Sequence, residues 1–167
     1  MIEKLKHKYA LSDKGAKAMM QAFVSVTISN LVLMFPVGLL YVLSSYLLEG
    51  SLPEDKVTFF TVGVIAALVL IAVTTYIQYN ATFLSTYVES GVRRRMLAEK
   101  LRKLPLSFFG KKDLSDLTNT IMADCALIET GSSHWIPELV GAFGSTTIII
   151  ISLLFFNWRM ALAAIWV

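Results

Sequence analysis

VTFFTVGVIAALVLIAVTTYIQYNATFLSTYV, residues 57–88, runs for 32 positions without an Asp, Glu, Lys or Arg. A helix rises about 1.5 Å per residue and the hydrocarbon core of a bilayer is about 30 Å thick, so about 20 apolar residues cross it. The stretch crosses and has roughly ten residues to spare, which tilt or continue as helix outside the hydrocarbon. Uncharged runs lie on either side of it: residues 18–48, with 31 positions, and residues 139–158, with 20. A fourth, residues 160–167, has eight. The pattern predicts an all-α fold, a polytopic transmembrane helical bundle with three full spans (about 20–48, 57–88 and 137–156) and the start of a fourth at residue 159.

Composition points the same way. Of 167 residues, 56% are hydrophobic and 16% charged, where soluble domains carry about 25% charge; mean hydropathy is +0.65. Disorder and nucleic-acid binding are both poor fits to these figures. One cysteine, Cys125, precludes an intrachain disulfide, and two distant histidines, His7 and His134, do not make a Cys/His metal site. Secretory signal peptides have apolar cores of only about 7–15 residues, so the first run reads as an uncleaved span.

Lysine and arginine set the orientation. Five precede the first run (Lys4, Lys6, Lys8, Lys14 and Lys17) and eight lie between Glu89 and Glu138, among them Arg93, Arg94, Arg95, Lys111 and Lys112. Lys56 and Arg159 are the two on the other side. The N-terminus and residues 89–138 are therefore expected in the cytoplasm. The short turn with Glu49, Pro53, Glu54 and Asp55 is expected outside.

Residues 1–17 form a basic amphipathic piece in which Leu5, Tyr9 and Leu11 can rest on the bilayer, with Ser12 as a candidate N-cap. Pro36 removes a helical hydrogen bond and predicts a kink near residues 33–35. Asn30 is the most polar side chain of the first span, suited to an interhelical hydrogen bond or to a solute path. In the second span Thr74, Gln78, Thr82 and Ser85 share one α-helical face, facing a wet cavity or already outside the hydrocarbon. Asn30, Gln78 and Asn80 are the candidate path residues. Val88, Val92, Met96, Leu97, Leu101 and Leu104 keep helical spacing through the charged region, and Pro105 predicts a break. A second cytoplasmic helix follows from Leu114, capped by Asp113 or Ser115. The third span is expected to begin near Pro137, where a helix first turn suits proline. Gly141, Gly144 and Ser145 offer it a small-residue packing face.

Leu101-Arg102-Lys103-Leu104-Pro105-Leu106-Ser107-Phe108-Phe109, then Ser115-Asp116-Leu117 and Asp124, resemble the first intracellular loop of the transmembrane domains of exporter-type (type 1) ABC transporters. Tyr9-Ala10-Leu11-Ser12-Asp13-Lys14-Gly15-Ala16-Lys17 resembles the elbow segment of one branch, and Phe156-Asn157-Trp158-Arg159-Met160-Ala161-Leu162 the tight outer turn between helices three and four. Ser115 stands where the family usually has Gly, and Thr120 where many members have Arg.

The resemblance implies an elbow over residues 1–17 and an incomplete type-1 transmembrane domain over 18–167, with a coupling helix inside a cytoplasmic loop at about 89–136. It implies alternating access driven by a nucleotide-binding domain that binds ATP and Mg, is missing from this chain, and meets the loop at its tip. That tip is expected at residues 123–129, with Asp124 and Glu129 as polar contacts and Ala126, Leu127 and Ile128 as packing surface. The implied partners are the lipid bilayer, the nucleotide-binding domain and a second transporter half, as homo- or heterodimer. The implied location is the plasma membrane, multi-pass. No G-x-x-x-x-G-K-[ST] motif occurs, so ATPase activity is expected only of a full-length transporter, and the chain reads as a fragment. The competing reading is a membrane scaffold or sensor anchor whose 89–138 segment binds a soluble partner.

Overall fold

The computed structural model describes residues 2–9, 11–50, 54–110 and 113–166. Ala10, Pro53, Lys111 and Lys112, used above, lie outside them. Every regular element among the described residues is helical: α1 (Ile2–Tyr9), α2 (Asp13–Val32), α3 (Met34–Leu48), α4 (Glu54–Tyr79), α5 (Ser85–Arg102), α6 (Leu106–Phe109), α7 (Leu114–Asn119), α8 (Cys125–Thr130), α9 (Ile136–Phe156) and α10 (Trp158–Trp166). Three π turns, Asn80–Leu84, Thr120–Asp124 and Gly131–Trp135, join α4 to α5, α7 to α8 and α8 to α9 without breaking the helical backbone. Three helical stretches are long and apolar enough to cross a membrane: Asp13–Leu48 (36 residues), Lys56–Arg102 (47) and Ser115–Phe156 (42).

The chain divides into two compact units, Met1–Ala22 with Tyr79–Glu138, and Phe23–Gln78 with Leu139–Val167. The second holds the apolar bulk of the runs read from the sequence. Pro36 acts as expected: it offers no N–H to the preceding turn, and the helix is interrupted at Leu33, between α2 and α3. Gly50, at φ +78°, takes the left-handed conformation after α3 that a residue with a Cβ rarely adopts. The turn between α9 and α10 is a single residue, Asn157, whose Oδ1 accepts from the Arg159 N–H at 3.0 Å.

Small residues govern packing in this unit. A Cβ on Gly141 would strike the side chain of Val26, which is itself fully buried. A Cβ on Gly144 would lie 2.8 Å from Thr27 Oγ1. The backbone of α9 therefore sits directly against α2, the close approach that small residues permit where no water drives association. Ser145 on the same face is buried. Between α3 and α4, Gly63 admits the Leu39 side chain, and Tyr46 meets Phe60 edge-on at 6.3 Å. The aromatic residues around the α9–α10 turn, Phe155, Phe156 and Trp158, are exposed, as an interfacial belt would be.

Pro137 stands in the first turn of α9 (Ile136–Phe156), the placement read from the sequence, and is fully buried; the helical stretch that leads into it is already under way from Ser115. The widened turn Gly131–Trp135 precedes the proline and accommodates the N–H that it lacks. Thr74, Gln78, Thr82 and Ser85 are all buried or half-buried, so the polar face continues through the π turn at Asn80–Leu84. The Thr74 hydroxyl bonds to the Leu70 carbonyl and that of Ser85 to the Asn80 carbonyl.

Substituting Gly141→Leu should push α9 off α2 and lower stability by about 1–3 kcal/mol, the usual cost of overpacking. Denaturation in detergent against a rising SDS fraction measures this, and a compensating Val26→Ala in the same chain should recover part of the loss.

Candidate functional site

The first unit is organised around two carboxylates. Glu89, on α5, is buried at 6% exposure, and a buried carboxylate must find donors. It finds them at the start of α2: the Ser12 N–H donates to Oε1 and the Ser12 hydroxyl to Oε2, both at 2.6 Å. Ser12 Oγ in turn accepts from the Gly15 N–H at 3.0 Å, so Ser12 is the N-cap of α2, as its position suggests. A negative charge beside the first turn also meets the positive end of the helix dipole. Gly15 leaves room for this contact: a Cβ would lie 2.5 Å from the Glu89 carboxyl carbon, so the carboxylate would have to shift.

One residue further on, Ser90 is buried and its hydroxyl donates to Glu129 Oε2 on α8. The Arg94 guanidinium donates to the same oxygen at 3.2 Å. Glu129, with 16% of its side chain exposed, is thus tied to two residues one helical turn apart on α5. These bonds clamp α8 to α5. A cavity of about 20 Å³ lies between the segments, lined by Gly15, Met19, Glu89, Arg93, Glu129 and Ser132 among others. It has room for about one water. At the periphery Lys6 pairs with Asp13, whose carboxylate, by hydrogen bond and then by charge, holds the Lys6 ammonium above its ordinary pKa. That pair is exposed and screened by salt.

Helix α5 is amphipathic in an unusual sense. Glu89, Ser90, Arg93 and Arg94 turn toward α8 and α2, whereas Leu84, Val88, Val92 and Met96 are exposed. The helical spacing of the apolar residues is real, but it is the polar face that holds the hairpin together.

The excursion reverses beyond α5 and ahead of α7, not at 123–129. α5 ends at Arg102, Pro105 is extended (φ −67°, ψ 151°), the short α6 carries an almost fully exposed Leu106, and Asp113 caps α7 by accepting from the Ser115 N–H at 2.9 Å. Asp124, Ala126, Leu127, Ile128 and Glu129 lie instead in the returning helical stretch, where Thr120 begins a π turn rather than a separate tip helix. Asp124, Ala126, Leu127 and Ile128 are exposed; Glu129 faces α5. Asn30 and Gln78 are half-buried in the second unit, and Asn80 is half-buried at the head of the first π turn in the first unit.

The sequence reading passed over Glu89 and Ser90. No local motif joins positions 12 and 89, which lie 77 residues apart. The available signal was a Glu at the end of a long uncharged run, facing a Ser with Gly three residues later.

A family model described as the ABC transporter transmembrane region matches residues 19–167. No curated protein matches the chain.

Glu89→Ala leaves the half-buried Ser12 donors unmatched and should cost about 1–3 kcal/mol. Thermal unfolding of the single variants and of Ser12→Ala/Glu89→Ala should give a coupling of about 0.5–3 kcal/mol. Strict additivity would mean that the contact contributes nothing.

Proposed function

The chain belongs to the family of ABC transporter transmembrane regions, and from that premise we propose that it forms part of a solute passage worked by alternating access. In this reading a nucleotide-binding domain hydrolyses ATP, and the resulting movement reaches the spans through the hairpin of α5 with α7 and α8. The observation that carries the reading is the clamped hairpin itself. Glu129 ties α5 to the returning helix through Ser90 and Arg94, so while these contacts hold a displacement of one arm of the hairpin carries the other with it.

The surface offered to the ATPase domain is the stretch at residues 103–110, led by exposed Leu106 and Phe109. Asp124, Ala126, Leu127 and Ile128 form a flank of the same hairpin and add contacts there; Glu129 is committed to Ser90 and Arg94. Asn30, Gln78 and Asn80 are assigned to the solute path. The basic residues before α2 and along α5 support a cytoplasmic N-terminus and hairpin; location in the plasma membrane and a second transporter half that completes the passage belong to the same reading. ATP and Mg do not fit this chain: Gly110 is followed by Lys111, but the upstream glycine and the following Ser or Thr of a phosphate loop are missing. Their chemistry belongs to the partner domain.

In a Cys125→Ser background, Leu106→Cys carrying a photo-cross-linker should capture an ATP-hydrolysing domain in native membranes. Capture of a signalling domain without ATPase activity would favour the scaffold reading. For orientation, Arg95→Cys should react with an impermeant maleimide only after the cells are permeabilised; labelling of intact cells would invert the topology.

A further inference from the structure

Two of the π turns face each other. Asn80–Leu84 lies on the outgoing helix, Gly131–Trp135 on the returning one, and the two are in contact. Phe83 from the first stacks on His134 from the second, with ring centroids 6.4 Å apart and planes at 30°. Tyr79 packs on Phe83 at 5.2 Å. At this level Thr82, Ser132 and Ser133 are buried, and Pro137 is buried just beyond the second turn. Each turn ends on an i→i+5 bond: the Ser85 N–H donates to the Asn80 carbonyl and the Ile136 N–H to that of Gly131. π turns are rare, cost hydrogen-bond geometry and concentrate at functional positions. Two of them opposed on neighbouring helices, with rings stacked between, form a single structural device.

We propose that these facing π turns are a register switch, which tightens to α geometry when the polar contacts beyond it are released. An α-helix turns by about 100° and rises about 1.5 Å per residue, so absorbing the extra residue of one π turn rotates the hairpin arm beyond it by about that angle. Glu89, Ser90 and Arg94 all lie beyond the first turn. The rotation carries them off Ser12 and Glu129, so the wide turns and the carboxylate contacts require each other. The Phe83–His134 stack adds to the wide state and is lost in the tight one. Packed elements of this kind have discrete arrangements and do not deform continuously. The switch rests on the geometry of this unit alone, whatever solute the passage carries.

The test uses the full chain in lipid nanodiscs, in a Cys125→Ser background, with spin labels at Val92→Cys on α5 and Ile128→Cys on α8, both exposed positions. Pulsed electron resonance reads the distance between them. Deleting Ala81 removes one residue from the first π turn and supplies the distance of the tight state. The parent should show one distance. Ser90→Ala and His134→Ala, which remove a carboxylate contact and the ring stack, should raise the deletion's distance from below about 10% of the population to a comparable share. Variants that keep the parent distance alone, or broaden with nothing at the deletion's distance, would refute the switch. Hydrogen exchange gives an independent reading should the deletion fail to fold. The amides of Ser85 and Ile136 should exchange at least several-fold faster in Ser90→Ala and His134→Ala than in the parent, while those of mid-α4 stay unchanged. Unaltered protection at both amides would overturn the proposal.

Discussion

A carboxylate taken out of water needs donors around it, and in this protein the donors for Glu89 come from the N-cap of a different helix. Much follows from that one contact. It fixes where α2 begins, because the Ser12 hydroxyl that caps the helix is the same group that binds Glu89. It suits glycine at position 15, since a Cβ there would push the carboxylate from its place. It also turns the polar face of α5 inward, which brings Ser90 and Arg94 onto Glu129. The N-terminal segment, the outgoing arm and the returning arm thus meet along one line of charge-assisted hydrogen bonds, each stronger than a neutral bond of the same length.

That line explains why α5 is inverted relative to a helix of a soluble domain, whose apolar stripe faces the core. Here polar groups do the internal fastening, and Leu84, Val88, Val92 and Met96 have no part in it. The arrangement has a structural advantage. Carboxylate-to-hydroxyl and carboxylate-to-guanidinium bonds are directional, so they set the register between the two arms in a way that sliding apolar surfaces do not.

The three spans and the break at Pro105 were legible because charge spacing and proline chemistry are local properties. The interruption near Pro36 and the packing face at Gly141 and Gly144 were legible for the same reason: a missing N–H and a missing Cβ act wherever they occur. The Ser12 cap could be read, but not its partner, because the residues from 12 to 89 carry no signal that the two ends meet. The π turns were invisible, since a pattern read at 3.6 residues per turn carries no mark of where the ladder widens. The tip expected at 123–129 was misplaced for that reason: a separate helix was read where the returning ladder merely widens at Thr120–Asp124.

The contact of Gly141 and Gly144 with Val26 and Thr27 joins the first span to the third, and the ribosome makes those two at quite different times. At roughly 5–20 residues per second, on the order of ten seconds separate their synthesis. During that interval α2 stands in the lipid with its groove at Val26 open and its mate still inside the tunnel. Biogenesis of this domain therefore includes a waiting stage, in which the insertion machinery or the surrounding lipid must hold the first span until the glycine face arrives.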